Sequence, residues 1–181
     1  MFCLRRGWPI ILLLLCIPTY SWAGQDILKD TLQGIYNQTL TAMRSAKTTA
    51  EVRQIVGRID MPQSARIALD GKVTSVTIEQ TVHELEEQIA EPEKEIWKID
   101  VIWVSRVQDE ATSVAWIYTK SVSANVEGGG SAKERGHPVL FGTIIRDKWY
   151  LTKDGWRRSS HEKLFPDGVL SIDGKDIVPP E

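Results

Sequence analysis

The sequence is short of the residues that make crosslinks and thiol chemistry. It has two cysteines, Cys3 and Cys16, and both fall in the first 23 positions. If that segment is removed, no thiol is left for a disulfide, a Cys nucleophile or a thiolate metal site, so stability has to come from a buried core. Excess positive charge is also missing: 22 Lys and Arg against 24 Asp and Glu give a formal net charge of -2. That balance supplies no broad basic field for a polyphosphate backbone and argues against nucleic acid as a partner. The three histidines, His83, His137 and His161, are scattered with no spacing that would gather a metal. There is no Gly-x-Ser-x-Gly elbow, and the run Gly128-Gly129-Gly130 lacks the strand, helix and Lys of a phosphate loop. No metal and no cofactor are expected. At 42% hydrophobic and 25% charged, the 181 residues suit one globular domain.

The N-terminus reads as a signal peptide over residues 1–23. Arg5 and Arg6 form the basic region, Ile10 to Ile17 the apolar one, and Ser21-Trp22-Ala23 puts small residues at the -3 and -1 positions, so cleavage is expected before Gly24. The apolar run is bracketed by Pro9 and Pro18 and is short for a bilayer span. The expectation is export to the periplasm or the cell exterior, with no stable membrane span after cleavage. Leu15 before Cys16 speaks against lipidation. A single domain over 24–170 and a C-terminal tail over 171–181 follow.

Within that domain, Leu28, Leu32, Ile35, Tyr36, Leu40 and Met43 recur at helical spacing. Thr48-Thr49-Ala50-Glu51 is a capping box opening a second helix with Val52, Ile55, Val56 and Ile59. Residues 60–76 read as loop and short strand with a turn at Asp70-Gly71. Thr77-Ile78-Glu79-Gln80 caps a third helix whose stripe is Ile78, Val82, Leu85 and Ile89, leaving His83 and Glu84, Glu86 and Glu87 on a solvated face.

From residue 95 the period becomes two. Trp97, Ile99, Val101 and Trp103 fall on one face of a strand, and Val114, Trp116, Tyr118 and Val122 on one face of the next, joined through Gln108-Asp109-Glu110. A polar stretch from Glu127 to Gly136 leads to a strand with Val139, Phe141, Ile145, Trp149 and Leu151 in phase, and Lys153-Asp154-Gly155 turns the chain back. The order predicts an α+β fold with a curved antiparallel sheet wrapped around three helices.

Asp147 is the anomaly, a carboxylate in phase with Val139, Phe141, Ile145, Trp149 and Leu151. Burial there is costly unless a partner is at hand. A two-residue loop at Asp154-Gly155 sets Asp147 opposite Glu162; a three-residue loop with Gly155 left-handed sets it opposite His161. The second is favoured, because Gly suits the last loop position. It would make Asp147 and His161 an acid-base pair. The alternative is an ion pair of Asp147 with Arg157, Arg158 or Lys148, or a cap on a backbone group. Asp100, opposite in phase to the tryptophans, is a second candidate or else a surface ion pair. Trp103, Trp116 and Trp149, with Tyr118, Asp100 and Glu162, are the expected pocket residues for a small apolar or aromatic ligand. Filling of the core or of a dimer face is the alternative for each tryptophan.

Two strings carry a family resemblance. Leu69-Asp70-Gly71-Lys72-Val73-Thr74 ahead of a capped helix, and Asp147-Lys148-Trp149-Tyr150-Leu151-Thr152-Lys153-Asp154-Gly155-Trp156-Arg157 in a closing hairpin, resemble the nuclear transport factor 2-like superfamily over about residues 28–165, in particular its SnoaL-like and ketosteroid-isomerase-like bacterial branches. The resemblance implies a cone-shaped sheet closed by three helices with a pocket at its wide end. It also implies either ligand binding or assembly, or acid-base isomerisation or cyclisation, and pairing into a homodimer through the outer sheet face.

Overall fold

The computed structural model describes residues 22–90, 94–121, 138–172 and 174–176. The expected signal segment up to residue 21, the Glu127–Gly136 connection with its glycine run, His137 and the end of the tail, Val178 to Glu181, lie outside them. Helix α1 (Trp22–Ser45) is followed by α2 (Thr49–Ile59), β1 (Asp60–Ile67), β2 (Val73–Thr77), α3 (Ile78–Ala90), β3 (Lys94–Val107), β4 (Glu110–Ser121), β5 (Val139–Thr152), β6 (Gly155–Lys163), β7 (Gly168–Ile172) and β8 (Lys175–Asp176).

Both capping boxes form. Thr48 accepts from the Glu51 backbone while Glu51 reaches back to the Thr48 N–H, and Thr77 and Gln80 exchange the same pair of bonds. These contacts satisfy donors that a helix start would otherwise leave open. Residues 60–76 are more regular than expected, since β1 and β2 form a hairpin around Asp70 and Gly71. The sheet runs β2-β1-β6-β5-β4-β3 and is strongly curved and unclosed; β7 adds to β5, and β8 to β7. It is mixed, because β1 lies parallel to β6 while the other pairs are antiparallel. β7 and β8 carry residues 171, 172, 175 and 176, so the sheet extends into the stretch expected to be tail.

The main core lies between α1 and the inner face of the sheet. Leu28, Leu32 and Tyr36 of α1 meet Ile99, Val101 and Val104 of β3, Ala111 and Ala115 of β4, and Ile145 and Trp149 of β5. Each large side chain so buried contributes about 1.5–3 kcal/mol. A smaller core joins Val52 and Val56 of α2 to Val82 of α3. Along the free side of β3, Gln33 of α1 donates to the Ile99 carbonyl (2.7 Å) and accepts from the Val101 N–H (2.7 Å), while Arg44 donates to the carbonyls of Ile96 and Trp97.

The tryptophan phases are corrected by bulges. β3 slips register between Ile96 and Lys98 and again between Val101 and Trp103. Ile99, Val101 and Val104 therefore face inward, while Trp97 and Trp103 are 44% and 51% exposed. An uninterrupted period of two would have put Trp97, Ile99, Val101 and Trp103 together; one extra residue reverses every side chain beyond it.

Candidate functional site

A layer of charged and hydroxyl groups crosses the inner face of the sheet. Tyr36 lies one and two turns beyond Leu32 and Leu28, so the α1 core stripe itself carries a phenol into the interior. Its hydroxyl donates to Asp147 Oδ2 at 2.5 Å. That bond uses the only phenolic proton, so at the 3.4 Å contact the Ser113 hydroxyl donates to Tyr36. Ser113 Oγ in turn accepts from Trp149 Nε1 at 2.9 Å, and the Tyr36 and Trp149 rings meet edge to face at 5.5 Å.

The other side of Asp147 is met from β6. Thr152 pairs with Gly155, which has φ +108°, so the loop is Lys153-Asp154, one residue earlier than the expected two-residue loop and one shorter than the favoured three-residue one. Counting back from that turn alone would set Asp147 opposite Ser160. A bulge at Ser159 adds the missing residue and brings His161 opposite Asp147, with Nδ1 to Oδ1 2.8 Å apart. The same bulge puts Arg158 and His161 on one face although they are three residues apart. Arg158 reaches Asp147 Oδ2 at 3.5 Å and holds Asp60, the residue that ends α2, through Nε to Oδ1 at 2.7 Å and Nη2 to Oδ2 at 3.2 Å. Asp147 thus has both the histidine and the arginine that the sequence offered as alternatives.

Burial alone would raise the Asp147 carboxyl, but the charges of His161 and Arg158 and the bonds from His161 and Tyr36 outweigh it and hold the group below the ordinary carboxylate range. Burial, then the neighbouring Asp147 charge, pushes Tyr36 well above the usual phenol value. Arg158 is desolvated, yet Asp147 and Asp60 raise it further and keep it charged. A carboxylate with three donors already on it is a poor proton acceptor. The side chains of Asp147 and His161 are 0% and 32% exposed, so the imidazole is what this pair presents outward. Trp149, Ser113 and Asp147 are sealed in. Among the described residues no group of three metal-ligating side chains converges.

No family model and no curated protein matches the chain. Solved structures do. A conserved protein from Planctomyces limnophilus, 12% identical, superposes with a TM-score of 0.54 over 80% of this chain and 98% of its own. A nuclear transport factor 2-like superfamily protein from Salmonella enterica, 10% identical, gives 0.52 over 76% and 90%. One with a cystatin-like fold from Novosphingobium aromaticivorans, 12% identical, gives 0.51 over 83% and 86%. The fold is nuclear transport factor 2-like.

In this nuclear transport factor 2-like fold the remaining expected site residues stand away from the Asp147 layer. Glu162, next along β6 from His161, faces the other way and pairs with Arg146 at 2.6 Å. Asp100 pairs with Lys98 at 2.6 Å on the outer face. Trp116 and Tyr118 stack there at 6.2 Å, with Lys98 over the tyrosine ring at 5.8 Å. They sit outside because Ala111, Ser113 and Ala115 take the inward phase of β4. A Cβ on Gly142 would come within 2.7 Å of Leu170 and 3.3 Å of Trp116, which is why glycine lies under that outer cluster. Trp103 is exposed on the outside and Trp149 is covered by Tyr36, so the expected aromatic lining of the cone is not assembled. Tyr36, Ser113 and Asp60 were not anticipated. A tyrosine on a core stripe was the available signal, because a buried phenol needs a partner.

Proposed function

We propose that the chain is an exported small-ligand-binding domain, cleaved before Gly24, in which His161 faces the ligand and Asp147 positions it. The reading is carried by one observation: a partly exposed imidazole backed at 2.8 Å by a carboxylate with no exposure at all. Ionised Asp147 can only accept, so Nδ1 carries a proton, and in the uncharged form of the ring Nε2 is left as an acceptor. A ligand bearing an O–H, an N–H or an activated C–H suits that atom. Native mass spectrometry of the protein, purified gently from its own host, is the test. A bound small mass that is lost in His161→Phe with unchanged melting is the expected result; retention of that mass in His161→Phe overturns the reading.

The same Nδ1 to Oδ1 contact favours a second reading, acid-base isomerisation or cyclisation. His161 would then take the proton, and Asp147 would hold the tautomer and stabilise the imidazolium. Under it, His161→Gln abolishes turnover of the ligand so identified while binding changes only a few-fold. Turnover that survives in His161→Gln excludes it.

A further inference from the structure

On the outer face of the sheet, opposite the face that carries His161, cross-strand register aligns Ser105 of β3, Thr112 of β4 and Lys148 of β5 in one row. The next row toward the β3–β4 turn is Val107, Glu110 and Tyr150. Small side chains beside larger ones leave a cleft of about 160 Å³, lined by both rows. From Lys98 onward, the other Lys and Arg side chains on β3 to β6 each have a carboxylate, a backbone carbonyl or an aromatic ring as partner. Lys148 has none among the described residues, and neither the Ser105 nor the Thr112 hydroxyl makes a hydrogen bond there. Glu110, in the second row, makes no ion pair with Lys148, and its charge acts on the neighbouring Tyr150 hydroxyl, which it raises above the usual phenol value. One exposed cation and two free hydroxyls therefore line the cleft, beside the Glu110 carboxylate and the apolar surface of Val107 (67% exposed) and Tyr150 (38% exposed).

We propose that this cleft binds a small carboxylate with an apolar or aromatic body. The carboxylate is held by Lys148, Thr112 and Ser105, and the body rests on Tyr150 and Val107. Benzoate is the probe, and inorganic phosphate is the arm that separates a carboxylate with a body from any oxyanion. In 15N-labelled protein, purified as its expression host processes it, benzoate is expected to give saturable shifts at the amides of Ser105, Thr112, Lys148 and Tyr150. Lys148→Met should weaken binding at least ten-fold, and Lys153→Met, in the nearby turn, should leave it unchanged. The site is overturned by shifts centred on His161 instead, by the absence of saturation, or by Lys148→Met binding as tightly as the parent. Phosphate binding as tightly as benzoate overturns the assignment of an apolar body. The Ser105, Thr112 and Tyr150 amides and the Lys148→Met comparison lie outside the Asp147–His161 pair, so they separate this site from any ligand at His161.

Discussion

The two apolar cores are held in different ways. The larger one locks α1 to three adjacent strands through large side chains and is closed to solvent at Trp149. The smaller one is built on valines between α2 and α3, and that pair reaches the sheet through polar links, Glu84 of α3 to Arg66 of β1 and the Gly57 carbonyl to Arg157, with Ile59 packing on the larger core and Asp60, where α2 runs into β1, held by Arg158. Apolar burial fixes how strongly an element is held and says little about its orientation. Directional charged bonds do the reverse. The Asp147 layer lies at the seam between the two regimes, so the outward imidazole depends on both.

Four experiments sharpen that contrast. Trp149→Ala strikes the large core and should cost about 3–5 kcal/mol of global stability by urea unfolding. Val82→Ala, in the small core, should cost about 1–2 kcal/mol. Its hydrogen exchange should accelerate in α2 and α3 while β4 and β5 stay protected; uniform acceleration would merge the two regions into one cooperative unit. Thr48→Ala removes the α2 cap at about 1 kcal/mol, read from the same unfolding curve. Arg53→Ala, which breaks an exposed pair with Glu79, should leave the unfolding midpoint where it is.

Acid probes the seam. Asp147 is depressed in the folded state, so its contribution is fully present above the ordinary carboxylate value and is lost as pH falls through the lower folded one. Tyr36 is raised, so its contribution is present below the ordinary phenol value and is lost as pH rises through the higher folded one. Unfolding midpoints should therefore drop at both extremes, and Tyr36→Phe should remove the alkaline loss. An alkaline loss of the same size in Tyr36→Phe would place its source elsewhere.

Local signals carried the helical half. Capping boxes and three-and-four spacing depend on neighbours within one turn, and Thr48, Thr77 and the Leu28-Leu32-Tyr36 stripe behave as read. The strand half was legible in its order and in the inward phase of Asp147. It was not legible in phase at Trp97 and Trp103, because a bulge is decided by the partner strand. Asp147 meets His161 for a reason hidden from the sequence: a shorter turn and the bulge at Ser159 offset each other. The resemblance supplied the cone; the tryptophans expected to line it are outside it or sealed within the core.

The two bonds between Gln33 and β3 have a consequence for how the molecule meets others of its kind. An edge strand exposes a ladder of unused N–H and C=O groups on which another polypeptide can grow, the first step of uncontrolled fibre formation. Gln33 fills one rung with a primary amide, chemically a copy of a peptide group, and Arg44 caps the next. A helix side chain thus impersonates a neighbouring strand, and among the described residues the sheet stops at β3.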